Sequence, residues 1–221
     1  MAWHGRLHFY STQTQGRIPK RTRTAKHTHQ TPPTLAMMRL FNILVAIIAL
    51  TLLAPVLLII PLLIKLDDGG SVFFKQQRLG LHKTPFTVWK FRTMKDQKIT
   101  RVGAYLRATA LDEFLQFFSI LRGQMSIVGP RPLTQSDVTR LGWDTEEYSQ
   151  RWDVIPGLTG LVQIYGGTSA EHSLELERHY LLHQKFRLDL KIVILSAGVV
   201  TLGKRRTKRW FPICNLKKNL I

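Results

Sequence analysis

The sequence predicts an α+β protein: an N-terminal re-entrant membrane helix hairpin, then a small, mainly helical domain carrying a short β-hairpin. Three observations lead there. Residues 40–64 are 25 consecutive positions without a charged side chain, bracketed by Arg39 and Lys65. Residues 72–94 hold two short β-rich runs joined by a Gly- and Pro-bearing connection. Beyond residue 105 the apolar residues recur at helical spacing.

Composition sets the frame. The chain has 221 residues, a formal charge of +18 and 44% hydrophobic residues, which excludes a wholly disordered protein. Residues 1–39 hold seven Lys/Arg and no acid, and so do residues 201–221. The two tails therefore carry most of the excess charge and are drawn to anionic surfaces. Cys214 is the only cysteine, so neither an intramolecular disulfide nor a Cys-based zinc site is available. Four regions follow: a basic tail over 1–37 expected to be disordered, a membrane helix over 38–66, a folded domain over 67–203 and a basic tail over 204–221. Met37 and Met38 directly precede the first patterned residues. A true start at either would make 1–36 an over-extended reading frame.

The run over 40–64 is long enough to cross a bilayer, since about 20 apolar residues suffice. Pro55 lies near its middle, where a proline removes a backbone hydrogen bond and kinks a helix. Both flanks are basic, which favours the same side of the membrane for each. A helix–break–helix that enters and leaves one leaflet satisfies both observations. A single spanning helix kinked at Pro55 is the alternative.

The domain then reads in order. Asp67, Asp68, Gly69 and Gly70 form a turn. Strands are expected over 72–79 and 86–94. Lys90 and Arg92 would share one strand face, with Trp89 and Phe91 behind them; a solvated strand face is the plain alternative. Helical spacing over 105–121 makes one wide apolar helix, interrupted by Asp112 and Glu113. Two carboxylates on such a helix are costly unless a positive group meets them, or unless they form a stripe facing water. In GQMSIVGPRP (123–132) the prolines stiffen the backbone at Arg131, which suits a guanidinium aimed at a phosphate. A stiff turn over 156–160, helices over 173–184 and 188–202, and a basic cluster beside Trp210 and Phe211 complete the chain. Aromatics next to cations suit an anchor on anionic membrane lipids.

A carboxylate can act as a nucleophile on phosphorus. Cations and a divalent metal then meet the phosphoryl charge. The residues alone therefore point to phosphoryl chemistry at a membrane surface. The 25-residue apolar run argues against a nucleic-acid binder, and the intact carboxylate pair argues against an inert membrane scaffold.

Several segments carry a specific resemblance: VFFKQQRLG (72–80), KFRTM (90–94), LRATALDEFLQFFSILRGQMSIVGPRP (106–132), PGLTGLVQ (156–163) and LDLKI (188–192). In these the chain resembles the monotopic phosphoglycosyl transferases, bacterial sugar transferases of the inner membrane. The resemblance implies transfer of a sugar 1-phosphate from a UDP-sugar to undecaprenyl phosphate, with release of UMP. It implies a ping-pong reaction through an aspartyl phosphosugar, and a role in the first membrane step of exopolysaccharide, O-antigen, capsule or glycoprotein glycan assembly. By the same resemblance Asp112 is the nucleophile and Glu113 holds Mg²⁺. Arg107 and Arg131 lie around the phosphates, Lys90 and Arg92 of the KFRTM strand are counted with them as phosphate-binding, and Pro55 breaks the hairpin. The catalytic domain would face the cytoplasm. Three positions depart from the family pattern: Asn42 and Glu177, each where Asp is usual, and Gly167, where an Arg is usual. The last two regions bear on the nucleotide sugar. Nothing in the sequence sets the sugar or the oligomeric state.

Overall fold

The computed structural model describes residues 32–165, 169–203, 206, 207 and 209. Helix α1 (Pro32–Asp68) opens it, with a proline pair in its first turn, where a missing N–H costs nothing. It starts ahead of residue 38, so 32–37, expected in the tail, are helical. Pro55 and Pro61 both lie inside it. The expected division into two helices at Pro55 is thus replaced by one helical element, because a proline can bend a helix without ending it. Among the described residues this is the one helix long and apolar enough to cross a membrane, and little of it is buried.

Both ends of α1 are bound to the same body. Near its start, Arg39 donates to the carbonyls of Ile120 and Leu121, at 2.6 and 2.7 Å. Asn42 donates to Ser126 Oγ at 3.2 Å and accepts from the Ile127 N–H at 3.1 Å. Near its end, Asp67 accepts from the Val102 N–H at 3.1 Å, and Asp68 pairs with Arg92. Between the two, Leu40, Leu44, Ile48, Leu52, Leu58 and Leu66 are exposed.

Strands β1 (Phe73–Leu79) and β2 (Pro85–Phe91) form the expected antiparallel hairpin, with Lys75 opposite Trp89 and Arg78 opposite Phe86. A two-residue ladder of β3 (Met94–Lys95) and β4 (Lys98–Ile99) leads to α2 (Arg101–Thr109), capped by the Thr100 side chain. The single helix expected over 105–121 is broken. Ala110 adopts φ 58, ψ 16; Leu111–Glu113 form a 3₁₀ turn; and α3 (Gln116–Leu121) follows. A left-handed alanine costs about 1–2 kcal/mol, so tertiary packing, not local preference, holds this break.

Strand β5 (Ser126–Val128) leads to α4 (Gln135–Leu141), which starts on a Thr134/Asp137 capping box. Strand β6 (Gly157–Thr159) pairs in parallel with β5. Gly157 is required there: a Cβ on it would lie 2.0 Å from the Gly129 nitrogen. Helices α5 (Leu161–Tyr165), α6 (Ala170–His183) and α7 (Phe186–Leu202) close the fold, the last two where helical spacing placed them.

Two apolar clusters matter for the site. The main core gathers Phe86, Val88, Ile120, Ile127, Leu188 and Ile192, and takes in Ala46 from α1. A second joins Ile60 and Ile64 of α1 to Phe91 and Leu106, with Leu111 and Leu115 packed against it. Helix α1 therefore buttresses the turn that carries the two carboxylates.

Candidate active site

The turn after Ala110 redirects the chain, so Asp112 and Glu113 sit on a 3₁₀ turn instead of a helix face. Glu113 pairs with the Lys90 ammonium, whose side chain is 18% exposed. The plain alternative of a carboxylate stripe facing water is set aside by that burial and pairing. Burial, then the neighbouring Glu113 carboxylate, push Asp112 up to about 6, against the partial pull of Lys90 and Arg107. Burial also pushes Glu113 up, but Lys90, Arg131 and Arg78 outweigh it and hold Glu113 below the usual carboxylate range. The two adjacent acids are thus driven apart: one is firmly ionised, the other is poised near neutrality.

A small cleft beside Glu113 is lined by Arg78, Lys90, Glu113, Gln116, Arg131 and Gln163, among others; Asp112 and Arg107 are not part of its lining. Three cations facing one carboxylate leave a positive balance suited to phosphate oxygens. Lys90 and Arg131 both line the cleft. Arg107 is exposed and donates from Nε to Thr93 Oγ1 at 2.8 Å; it reaches Asp112 through its charge.

Arg92 departs from expectation. The strand ends at Phe91, and Arg92 turns to the end of α1, meeting the Asp68 carboxylate and the Ser71 and Met94 carbonyls. It fastens α1 to the hairpin and does not line the cavity.

Arg78 was missed by the sequence reading. Its side chain is 12% exposed, and it donates to Asp137 Oδ2 at 3.2 Å and to the Pro132 carbonyl at 3.1 Å. Burial and the nearby Arg131 push its guanidinium down. The signal was present: Arg78 faces Phe86 in the hairpin register, so period-two alternation puts it on the face of Val88 and Lys90.

The departures from the family pattern resolve unequally. Asn42 latches α1 to β5 with a neutral carboxamide. Glu177 is buried in a pair with Arg151, at 2.8 and 3.2 Å, and Arg151 donates onward to the Arg131 carbonyl at 2.9 Å. Arg151 also packs against Trp143 and Trp152. The Glu177 carboxylate is therefore consumed in holding the Arg131 backbone. Gly167 lies outside the described residues, as do most of the two tails.

For Mg²⁺, the donor set fits. That ion is held by one or two carboxylates plus phosphate oxygens and water, not by a full protein cage. Asp112 and Glu113 supply two carboxylates whose mutual repulsion a cation would relieve. Among the described residues no larger cluster of His, Cys, Asp or Glu competes for the ion.

Comparison with known proteins adds the context. Residues 34–203 match the family described as bacterial sugar transferase. A UDP-glucose:undecaprenyl-phosphate glucose-1-phosphate transferase of Klebsiella pneumoniae is 38% identical over 179 residues, covering 72% of this chain and 38% of the relative. The uncharacterized sugar transferase EpsL of Bacillus subtilis is 36% identical over 184 residues, covering 77% of this chain and 90% of EpsL. A UDP-N-acetylgalactosamine-undecaprenyl-phosphate N-acetylgalactosaminephosphotransferase of Aeromonas hydrophila is 33% identical over 178 residues, covering 73% of this chain and 42% of the relative. The chain thus spans well under half the length of two of these relatives and most of the third.

Proposed function

Because this chain belongs to the bacterial sugar transferase family, we propose that it moves a sugar 1-phosphate from a UDP-sugar onto undecaprenyl phosphate, releasing UMP, in membrane polysaccharide assembly. One observation carries this reading: the turn that bears Asp112 and Glu113 packs against an apolar helix and puts Glu113 in the wall of a cationic cleft.

Asp112 attacks the β-phosphorus. The bond from that phosphorus to the bridging oxygen breaks, and its electron pair leaves with UMP. The sugar phosphate stays on the carboxylate as an acyl phosphate. A phosphate oxygen of the lipid acceptor then attacks the same phosphorus and returns Asp112 as a carboxylate. Lys90, Arg78 and Arg131 meet the charge on the equatorial oxygens in both steps. Glu113, with Asp112 beside it, would hold Mg²⁺, which supplies further positive charge at the diphosphate.

The same reading places the chemistry on the cytoplasmic face of the bacterial inner membrane, where the nucleotide sugar is. It is supported by α1, whose two ends bind one folded body although about 37 Å of straight helix would separate Asn42 from Asp67. A helix spanning the bilayer has its ends on opposite faces. Re-entry bent at Pro55 puts both on one face. Cysteine labelling at residues 36 and 69, with Cys214 replaced, tests this: residue 36 labelled only from the periplasm would defeat the re-entrant reading.

The activity is tested by UMP release from a panel of UDP-sugars, with membranes and undecaprenyl phosphate. Intact-protein mass spectrometry should show a phosphosugar adduct on the wild type and none on Asp112→Asn. An adduct on the Asn variant would remove Asp112 from its role.

A further inference from the structure

One face of the β1–β2 hairpin grades from apolar to cationic along its length. Phe74, Gln76 and Arg78 alternate onto that face, with Lys90 opposite Phe74, Val88 opposite Gln76 and Phe86 opposite Arg78. Val72, two residues before Phe74, continues it; the Arg92 N–H donates to its carbonyl at 2.9 Å. At one end, Arg78, Val88 and Lys90 line the cationic cleft. At the other, Val72 packs against the cluster that holds Ile60 and Ile64 of α1. Phe74 lies between the two, directly across from the lysine that pairs with Glu113. Its side chain is exposed, as is that of Phe73. The two differ in what their rings meet. Phe73 points to the other face, where its ring packs on Trp89 and Phe91. Among the described residues no aromatic ring meets Phe74, and it joins none of the buried apolar clusters. Single exposed apolar side chains are common. Phe74 is set apart by its place, where the α1 cluster gives way to the cleft.

We propose that Phe74 is an acceptor-specificity residue: its ring packs on the isoprene units next to the phosphate of the prenyl lipid, while Lys90 takes that phosphate. This rests on the acceptor and on the membrane placement of α1 proposed above. A prenyl phosphate has the same grading as the hairpin face, a hydrocarbon chain ending in an anionic head. With the chain on the α1 side and the head at Lys90, the first isoprene units pass over Phe74. Those units leave the hydrocarbon so that the phosphate can reach the carboxylate turn. Apolar carbon drawn into water loses transfer free energy in proportion to the area exposed, and an aromatic surface at that point restores part of it. Uracil is the competing occupant of the ring. Phe74, however, stands on the α1 side of Lys90, whereas the base of a water-soluble donor comes from the side away from the hydrocarbon.

The test uses the full chain in lipid nanodiscs that carry undecaprenyl phosphate at varied mole fraction, with the variants Phe74→Ala and Phe74→Leu. UMP release gives kcat/KM separately for the lipid and for the UDP-sugar. Removing the ring should lower kcat/KM for the lipid by about tenfold and leave kcat/KM for the UDP-sugar within about twofold. Phe74→Leu keeps a bulky apolar side chain, and should hold the lipid value within about threefold of wild type. Calorimetric titration with UMP should give the same affinity for wild type and Phe74→Ala. An unchanged lipid value in Phe74→Ala overturns the proposal. So does an equal fall in kcat/KM for the UDP-sugar or in UMP affinity, which would put the base on the ring. Failure of both variants to fold also overturns it, because Phe74 would then be a packing residue. A wild type that transfers to no prenyl phosphate defeats the acceptor reading under the proposed function, and this proposal with it; an active wild type with an indifferent Phe74→Ala defeats this proposal alone.

Discussion

Replacing Lys90 by Met should move the acid limb of activity, not merely lower the rate. Lys90 pairs with Glu113, and its charge pulls on Asp112 as well. A carboxyl raised in the folded protein gains its nucleophilic charge only as pH rises through its own value, here about 6. Without the ammonium, Glu113 keeps a charge that nothing nearby offsets as closely, and Asp112 is pushed higher. Glu113 is 34% exposed, so solvent screens part of the loss, and about one pH unit is the reasonable shift. At pH 6 the ionised fraction of Asp112 then falls from about one half to about one tenth, whereas at pH 8.5 it stays near one in both proteins. The variant should therefore lose about fivefold more kcat/KM at pH 6 than at pH 8.5, on top of any uniform loss from a missing phosphate contact. UMP release measured from pH 5.5 to 9 reads this directly. A constant ratio of variant to wild type over that range would refute the electrostatic role assigned to Lys90.

Other perturbations separate scaffold from site. Arg151→Met leaves Glu177 buried and unpaired, with both side chains under 5% exposed, and should cost about 3–5 kcal/mol by denaturant unfolding; wild-type stability would show that the pair is dispensable. Arg92→Met should lower the melting temperature while leaving the KM for UDP-sugar within about twofold; a large KM effect would return Arg92 to the phosphates. Asp189 is pushed up to about 7 by burial, so the folded state favours its protonated form. Its stabilising effect is greatest below the unfolded value near 4 and is lost as pH rises towards 7, with an upper limit of about 4 kcal/mol. Asp189→Asn should flatten that decline, and parallel melting curves at pH 5 and pH 8 for the two proteins would contradict it.

The parts of the fold that were legible are those set by chain chemistry over many residues. The uncharged run of α1, the β1–β2 hairpin and the spacing of α6 and α7 each repeat a signal often enough to read. The break at Ala110 was not legible, because alanine is the strongest helix former and nothing local ends a helix there. The turn is imposed by packing of Leu106, Leu111 and Leu115 on α1. The same limit applied to Arg92. Alternation put it on the Lys90 side, but β2 ends at Phe91 and a partner 24 positions away, Asp68, claims it. Asp112, Glu113 and Arg131 stood out as candidates because two acids on an apolar segment and a guanidinium between prolines are locally unusual, and the structure brings Glu113, Lys90 and Arg131 to one cleft. Arg78 needed the hairpin register, and Arg151 needed Glu177 and two tryptophans. Both are properties of long-range contacts.

The double attachment of α1 bears on how the protein meets its lipid. There is no tether between the apolar helix and the carboxylate turn. Ile60 and Ile64 press directly on the cluster that supports Leu111 and Leu115, while Arg39 and Asn42 moor the other end. If α1 lies in the bilayer as proposed, the carboxylate turn is thus held at a set height above the hydrocarbon, as rigidly as the core is packed. The proposed acceptor phosphate would have to arrive by lateral diffusion within the headgroup layer, and the domain could not rise to meet one that lies higher. On the proposed two-step reaction, a bilayer whose headgroup plane shifts by a few ångströms would then starve the second half-reaction and limit UMP release to about one equivalent per enzyme.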